Sequence, residues 1–275
     1  MKLLIAVDME GIAGVTSWDQ VTPGHAEWQR FRKIMTAEVN AAVGGAFAGG
    51  ADEVVVTDGH WNGDNLLIEE LDPRARLNTG SPSPFSMAEG VAEGVDAAFF
   101  IGYHARNGTA HAILDHTWSA ARVHNLFING RVSGETGWNA SLCGYYGVPV
   151  LLMSGDQSAA AEAREWVAGI DTLVTKTAHG RWSAEVLAPS LVRERLRAAA
   201  EESLRKFLRG EGPRPLQTTA PVTIRVEFAG SDMGDKAALL PGIRRLDGFT
   251  VEYSAADMPS AYQAFRAAVT LALRT

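Results

Sequence analysis

Three apolar runs of this chain each end at acidic or histidine side chains. Residues 3–7 are followed by Asp8 and Glu10, and the later runs EVVVTD and AAFFI lead to His60 and His104. Short apolar runs of this kind are typical of the buried strands of a parallel sheet. Because ligands bind at the carboxyl ends of strands in open α/β sheets, the three runs predict one polar site at a single sheet edge.

The segments around these runs alternate strand and helix signals, which favours an α/β fold with a central, mostly parallel sheet flanked by helices. Residues 26–48 show helical spacing of apolar side chains and stop at a Gly-Gly pair. The Asn129-Gly130 pair between apolar residues predicts a hairpin over residues 126–132. We also predict a strand over 149–154, helices over 134–146 and 159–167, a short helix over 65–71, and a helix pair over 183–208 broken at Pro189.

Composition and charge narrow the class of protein. The net charge of −7 argues against nucleic-acid binding, because neutralising phosphates requires clustered lysine and arginine. The single cysteine, Cys143, excludes an intramolecular disulfide, which fits a reducing compartment, and its apolar surroundings indicate a buried thiol. No segment approaches the ~20 apolar residues needed to span a bilayer. We therefore expect a cytoplasmic enzyme without a membrane partner.

The acids and histidines at the predicted sheet edge form a candidate metal site. Asp8 and Glu10 are two residues apart, so on an extended strand their side chains point to the same side. Two carboxylates aimed at one point repel each other unless a cation or a proton lies between them. Together with the imidazoles of His60 and His104 they suit Zn²⁺, or a harder ion such as Mn²⁺. Glu135, directly after the predicted hairpin, is a fifth candidate ligand.

Each of these residues also has a purely structural interpretation. The two acids fit solvated side chains at a strand end, and the histidines fit ordinary surface or core residues. Glu135 fits a helix start, where an acid complements the helix dipole. Asp58 is either a further ligand or an acceptor for an imidazole N–H. The metal site is favoured because the structural interpretation requires three independent coincidences at three strand ends.

His116, in the segment LDHTW, is a candidate of a different kind. It falls in a region without strong periodicity, so we place it on a loop over the site. Histidine is the usual general acid or base near neutral pH, and the alternative is a hydrogen-bonded loop histidine. The chain has no GxSxG elbow and no P-loop, and the glycines after the first strand do not form GxGxxG.

A change in composition at residues 211–221, EGPRPLQTTAP, indicates a linker or module boundary. We predict a metal-binding catalytic α/β domain over residues 1–210. Residues 211–275 form a smaller C-terminal α+β portion packed on the first as one unit. In this portion we expect a strand over 222–228, a loop, a strand pair over 243–253 and a final helix over 260–273.

Taken together, these motifs resemble peptidase family M55, the zinc-dependent D-aminopeptidases of the DppA type. The resemblance runs almost end to end and rests on several rare motifs in the same order. The segments are MKLLIAVDMEGIAGV, VTDGHWNGDNLL, SMAEG, FIGYHAR, HTWS, INGRVSGETGWNA, GVPVLLMSGD and AADMPSAYQAF.

The resemblance implies a dinuclear zinc aminopeptidase that removes an N-terminal D-residue from short peptides. The positions that match the family's zinc ligands are Asp8, Glu10, His60, His104 and Glu135, and the position that matches its proposed catalytic histidine is His116. We expect Asp8 to bridge the two ions, and His116 to act as a proton shuttle or a nucleophile. The resemblance also implies a homo-oligomer, a decamer that encloses a channel.

One loop departs from the family pattern. Between the second histidine ligand and His116 the chain reads ARNGTAHAILD, with Ala110 and His111 where a Thr-Pro-Gly turn is expected. A shift of preference toward larger or L-residues is one consequence, so an L-specific aminopeptidase remains an alternative. Two others are a metallohydrolase acting on non-peptide amides or phosphoesters, and a non-catalytic metal-binding assembly. A phosphoesterase requires cationic side chains at the site, and Arg106 and Arg122 are the nearby candidates.

Overall fold

The first strand of the chain divides its side chains between two apolar cores. In the computed structural model, which describes residues 1–273, Leu3 and Ile5 pack into one core, while Leu4 and Ala6 pack into the other. A strand that is buried on both faces reads as a continuous apolar run, which explains the sequence LLIAV. The sheet to which it belongs therefore lies in the middle of the molecule.

The described residues form twelve strands and six α-helices. The strands are β1 (Lys2–Val7), β2 (Glu53–Asp58), β3 (Ala75–Asn78), β4 (Ala97–Ile101), β5 (Val123–Ile128), β6 (Arg131–Ser133), β7 (Val150–Asp156), β8 (Asp171–Ala178), β9 (Ala184–Val186), β10 (Val222–Phe228), β11 (Arg244–Arg245) and β12 (Thr250–Ala255). The helices are α1 (Ala26–Gly49), α2 (Glu135–Tyr145), α3 (Gln157–Trp166), α4 (Pro189–Leu208), α5 (Ser231–Ala237) and α6 (Met258–Leu271). Three short 3-10 helices cover Trp18–Gln20, Ile68–Glu70 and Ser86–Ala88.

Seven of the strands form the central sheet, in the order β3-β2-β1-β4-β7-β8-β9. Every neighbouring pair is parallel except β8 and β9, so β9 is an antiparallel edge strand. The strands β2, β1 and β4 lie side by side. Their carboxyl ends therefore lie at one edge of the sheet. The predicted α/β class with a mostly parallel sheet is confirmed.

The remaining five strands form an antiparallel sheet in the order β11-β12-β10-β5-β6. The hairpin β5–β6 turns at Asn129 and Gly130, whose φ angles of 48° and 82° are those that an Asn-Gly turn provides. Strand β10 pairs with both β5 and β12, so this sheet contains strands from both sides of the expected boundary at residues 210–211. The division into two portions stays a prediction, and the segment between α4 and β10 is irregular.

Helices α1 and α4 pack tightly on one face of the central sheet. Their close approach is possible because Gly45 and Gly49 of α1 face the backbone of α4, where a methyl group on Gly45 would overlap the carbonyl of Arg197. Gly49 lies against the carbonyl of Glu201 in the same way. The glycines that interrupt the helical pattern in the sequence are therefore packing positions.

Several predicted elements differ from the structure. The helix pair over residues 183–208 is wrong: residues before Pro189 form the edge strand β9, and Pro189 begins α4 because its fixed φ suits the first helical turn. Strand β8 was not predicted, because its buried Lys176 interrupts an otherwise β-branched pattern. Helix α5 lies where a loop was expected, and the predicted short helix over 65–71 is only one 3-10 turn. No helix among residues 1–273 has the length and apolar character to cross a membrane.

Candidate metal centre

The backbone brings the ends of β1 and β4 unusually close together. A methyl group on Gly11 would overlap the carbonyl of Tyr103, and one on Gly102, which has φ of +76°, would overlap the carbonyl of Asp8. The Gly11 N–H donates to the Gly102 carbonyl oxygen at 2.7 Å. Only glycine fits both positions, so the glycines after Glu10 and before Tyr103 set the approach of the two loops that carry the site.

All six candidate site residues lie together and are buried. They are Asp8, Glu10, His60, His104, His116 and Glu135, each 7 % exposed or less. Asp8 follows β1, while Glu10 lies in the turn beyond it. The expectation that the strand continues through Glu10 is therefore wrong, because β1 ends at Val7. The turn nevertheless brings the two carboxylates to the same centre.

Asp8 lies between the two histidines of the sheet edge. Its Oδ1 is 3.1 Å from Nδ1 of His60, and its Oδ2 is 3.4 Å from Nε2 of His104. Glu10 Oε2 lies 3.2 Å from Nδ1 of His60, and Glu135 Oε1 lies 3.2 Å from Nε2 of His104. Asp8 is therefore shared between two groups of ligand atoms.

Backbone carbonyls orient the imidazoles. His60 Nε2 lies 2.7 Å from the carbonyl oxygen of Val21, and His104 Nδ1 lies 3.0 Å from that of Ala105. A carbonyl only accepts, so these nitrogens carry the hydrogen in the neutral rings. The lone pairs of His60 Nδ1 and His104 Nε2 then face the carboxylates. This arrangement is the usual support for a metal-bound histidine.

The buried charges shift one another's pKa values. Burial alone would raise the pKa of Asp8, but contacts with His104 and His60 hold it well below its usual value. Burial would lower the pKa of His60 and His104, but the adjoining carboxylates raise both well above the usual value. Without an ion, protonated imidazoles therefore balance the carboxylates, and a cation would take the place of these protons.

Two buried atoms support a metal ion on geometric grounds. Glu10 Oε2 and His104 Nε2 have no hydrogen-bond partner, although both lie inside the cluster. The side chains form three groups, and within each group the ligand atoms lie within 4.8 Å of one another. The groups are Asp8-Glu10-His60, Asp8-His104-Glu135 and Glu10-His104-His116. Oxygen and imidazole donors of this type suit zinc. The residues present therefore fit a metal centre.

His116 lies over the centre on the loop between β4 and β5. Its ring stacks on that of His104 with centroids 3.9 Å apart, and the edge of Trp18 packs against it. Its Nδ1 lies 2.8 Å from the carbonyl oxygen of Leu114, and its Nε2 lies 3.9 Å from carboxylate oxygens of Glu10 and Glu135. Burial and the neighbouring His104 lower the pKa of His116, which favours a neutral ring.

Glu135 is the first residue of α2, so it is both an acid at a helix start and a candidate metal ligand. Its Oε1 accepts the backbone N–H of Trp118 at 2.7 Å and also approaches His104. The helix start therefore places a carboxylate at the centre and ties it to the loop that follows His116. Trp18 and Trp118 also belong to this site, and no sequence pattern predicted them there.

Asp58 supports the loop that carries His60. Its carboxylate accepts the backbone N–H groups of Asn65 and Leu66 at 2.6 and 2.8 Å and the side-chain amide of Asn65 at 2.9 Å. The same amide donates to the carbonyl of His60. Neither role expected for Asp58, as a ligand or as the acceptor for an imidazole N–H, is seen, because backbone and amide donors occupy its oxygens.

Lys176 of β8 supports the turn that carries Glu10. Its ammonium donates to the carbonyls of Glu10, Ile12 and Val15 at 2.5, 2.8 and 2.9 Å. Burial lowers the pKa of Lys176 to about 8. The alternation of β-branched residues in TLVTKT was a usable signal for the strand, but nothing in the sequence placed this lysine under the site.

A cavity of about 600 Å³ opens over the centre. Its lining contains five of the six site residues and also Arg122 and Arg266, whereas Arg106, expected near the site, is not part of it. Ala110 and His111 of the divergent loop do not line the cavity either. Cys143 is buried, which confirms the predicted buried thiol, and burial raises its pKa to about 12.

The fold and the site define a class of protein. A buried group of three carboxylates and three histidines at the carboxyl edge of a parallel sheet, beneath an open cavity, is the arrangement of a metal-dependent hydrolase. The ligand set by itself does not select the bond that is cleaved.

Comparison with known proteins identifies the family. The sequence profile of the peptidase M55 family, described as D-aminopeptidase, matches residues 1–267. The D-aminopeptidase of Bacillus subtilis (strain 168) is 37% identical over 276 residues, which cover 100% of this chain and 99% of that protein. A match to aconitate hydratase A of Streptococcus mutans is 23% identical over 176 residues but covers only 19% of that protein, so it carries no functional argument.

The fold is shared as well. A solved structure described as the Zn-dependent D-aminopeptidase DppA from Bacillus subtilis, a self-compartmentalizing protease, superposes with a TM-score of 0.94. Its identity to this chain is 37%, and the match covers 100% of this chain and 99% of that one. The chain belongs to peptidase family M55. The predicted family and the predicted metal-dependent aminopeptidase are confirmed, and the phosphoesterase and non-catalytic alternatives lose their support.

Proposed function

We propose that this protein is a dinuclear zinc aminopeptidase that removes an N-terminal D-residue from short peptides. The observation that carries the proposal is the division of Asp8 between two groups of ligands. One oxygen faces His60 and the other faces His104, so Asp8 belongs both to the group with Glu10 and to the group with Glu135. One shared carboxylate between two groups is the expected arrangement for two neighbouring ions.

The chain's own residues would hold the ions. Asp8, Glu10 and His60 offer one set of donors, and Asp8, His104 and Glu135 offer the other. Zinc supplies Lewis-acid chemistry when bound, since it polarises a carbonyl and lowers the pKa of water. The name of the related structure, a zinc-dependent enzyme, supports zinc as the metal.

His116 would transfer the proton that the attacking water loses. Its Nδ1 is committed to the Leu114 carbonyl, so Nε2 presents a lone pair to the space between Glu10 and Glu135. A base in this position accepts a proton from the attacking water and returns it to the leaving amine. The group Glu10-His104-His116 also permits a role for His116 as a ligand, and the zinc content of a His116 variant separates the two roles.

The same proposal includes self-association. The related structure is described as a self-compartmentalizing protease, and family resemblance suggests a decamer for this chain. Light scattering of the purified protein tests this part independently: a mass near ten chains supports the decamer, and a monomer contradicts it.

Substrate screening tests the reaction itself. We expect D-Ala-initiated dipeptides to be cleaved and their N-acetylated forms to resist cleavage, because an aminopeptidase requires a free amine at the metal centre. Matched L-Ala dipeptides are the control for chirality. Equal cleavage of free and acetylated peptides would contradict an aminopeptidase, and a clear preference for L-residues would contradict only the D-specificity.

A further inference from the structure

Two arginines lie in the same cavity as the metal centre. Arg122 comes from the turn before β5, and Arg266 comes from α6. Neither forms an ion pair with a carboxylate among residues 1–273. The acids of the cavity, Asp8, Glu10 and Glu135, instead face the histidines of the centre. We call the acids with their histidines the metal end of the cavity, and Arg122 and Arg266 its cationic end.

Backbone carbonyls hold these two guanidinium groups in place. Arg122 donates from Nη1 to the carbonyl of Val269 at 2.9 Å. Arg266 donates from Nη1 to the carbonyls of Ser83 and Pro84. A guanidinium has five N–H donors, so each group keeps donors on Nε and Nη2. These nitrogens have no hydrogen-bond partner among residues 1–273, and both side chains are half-buried.

Several other arginines of the chain instead pair with acids. Arg181 pairs with Asp115 at 3.1 Å, and Arg245 pairs with Asp235 at 2.8 Å, although these arginines lie outside the cavity. A guanidinium held in a fixed position without an acid presents a planar fork that matches a carboxylate. Two such groups in the lining of one cavity can therefore bind a carboxylate.

We propose that Arg122 and Arg266 bind the C-terminal carboxylate of the peptide substrate. The inference rests on the proposed aminopeptidase function and narrows its substrate class to short peptides with a free C-terminus. Such a peptide places its N-terminal residue at the metal centre and its carboxylate at the arginines, so both ends are recognised within one cavity. Binding at a distance from the cleaved bond acts on both ground and transition state, so it lowers KM more than it raises kcat.

Paired substrates test the proposal on the unaltered holoenzyme. D-Ala-D-Ala and D-Ala-D-Ala-amide contain the same bond to be cleaved and differ only in the terminal carboxylate. We expect kcat/KM for the free acid to exceed that for the amide by roughly 10- to 100-fold, the range for a hydrogen bond to a charged group. Equal values would overturn the carboxylate site and leave the aminopeptidase function intact, whereas no cleavage of either would contradict the proposed function itself.

Two variants assign the preference to residues. In Arg122→Gln and in Arg266→Gln we expect the acid-to-amide ratio to fall by about tenfold or more, mainly through KM for the acid. Arg195→Gln removes a positive charge from an exposed position of α4 that does not line the cavity, and it is the matched control. Zinc content and thermal melting report whether each variant is folded. A ratio that stays at the wild-type value in both folded variants would overturn the assignment.

Discussion

The two ends of the active-site cavity are built in different ways. At the metal end, six side chains that are 7 % exposed or less hold one another through short contacts and through backbone carbonyls. At the other end, Arg122 and Arg266 are half-buried, and among residues 1–273 their side chains hydrogen-bond only to backbone carbonyls. A site that performs chemistry requires a fixed geometry of its side chains. A site that selects a substrate needs only a charge of the right sign at the right position. The comparison predicts that changes at the first end abolish the reaction and that changes at the second end alter its selectivity.

The largest effect is expected from loss of a metal ligand. His104→Ala removes a nitrogen that lies between Asp8 and Glu135, so we expect loss of zinc and of activity together. The loss should exceed the ~10²–10⁴-fold typical of a single acid–base group. Elemental analysis tests the loss of zinc, and kcat measured on the same preparation tests the loss of activity. The exposed His124→Ala is the control, and full zinc content with full activity in His104→Ala would contradict the ligand assignment.

A smaller and purely kinetic effect is expected from His116→Ala. This side chain lies 3.9 Å from the nearest carboxylates rather than within their hydrogen-bond distance, so we expect zinc to be retained. We expect kcat to fall by ~10²-fold or more, because the proton acceptor is lost. Loss of zinc along with activity would instead make His116 a ligand, and near-normal kcat would remove it from the reaction.

The sequence predicted the residues of the metal end better than those of the cationic end. Asp8, His60 and His104 each follow an apolar run, and the carboxyl ends of adjacent parallel strands meet at one edge, so their proximity was predictable. The position of Arg266 depends on how α6 packs across the first half of the chain, which no local pattern encodes.

The residues that support the site also differ in how well the sequence predicted them. The hairpin at Asn129 was predictable from its turn chemistry, but Lys176 was not, since a lysine inside a strand is a poor signal for a buried residue. Asp58 was identified as part of the site but not in its actual role, because its donors come from the backbone of a loop seven residues away. Long-range packing decided the position of Lys176, whereas the local geometry of a loop decided the role of Asp58.

Zinc uptake should depend on pH, while substrate selectivity should not. The pKa values of His60 and His104 are raised in the metal-free protein, so both rings are protonated at neutral pH and must lose protons to bind an ion. Affinity for zinc should therefore rise with pH, by about tenfold per unit for each proton displaced. Arginine does not titrate in this range, so the acid-to-amide ratio should stay constant. Competition titrations with a chelator at several pH values check the first part, and a pH-independent affinity would contradict it.

The smallest effect is expected from a helix cap. Asp257 accepts the backbone N–H of Ser260 at 2.8 Å at the start of α6, the helix that carries Arg266. Asp257→Ala should lower the free energy of unfolding by about 0.5–2 kcal/mol while zinc content stays normal. Thermal melting of the zinc-loaded protein checks this. A large loss of zinc in this variant would show that the two ends of the cavity are not independent.

The proposed sharing of Asp8 between two zinc ions is tested most directly by the zinc content of the protein. Protein purified without chelator after growth in zinc should contain about two zinc ions per chain by elemental analysis, because two groups of ligands share this one carboxylate. Asp8→Asn, which nearly preserves the shape of the side chain, should lower the content of both ions. A stoichiometry near one in the wild-type protein would contradict the dinuclear centre, and a value near zero would contradict the metal site altogether.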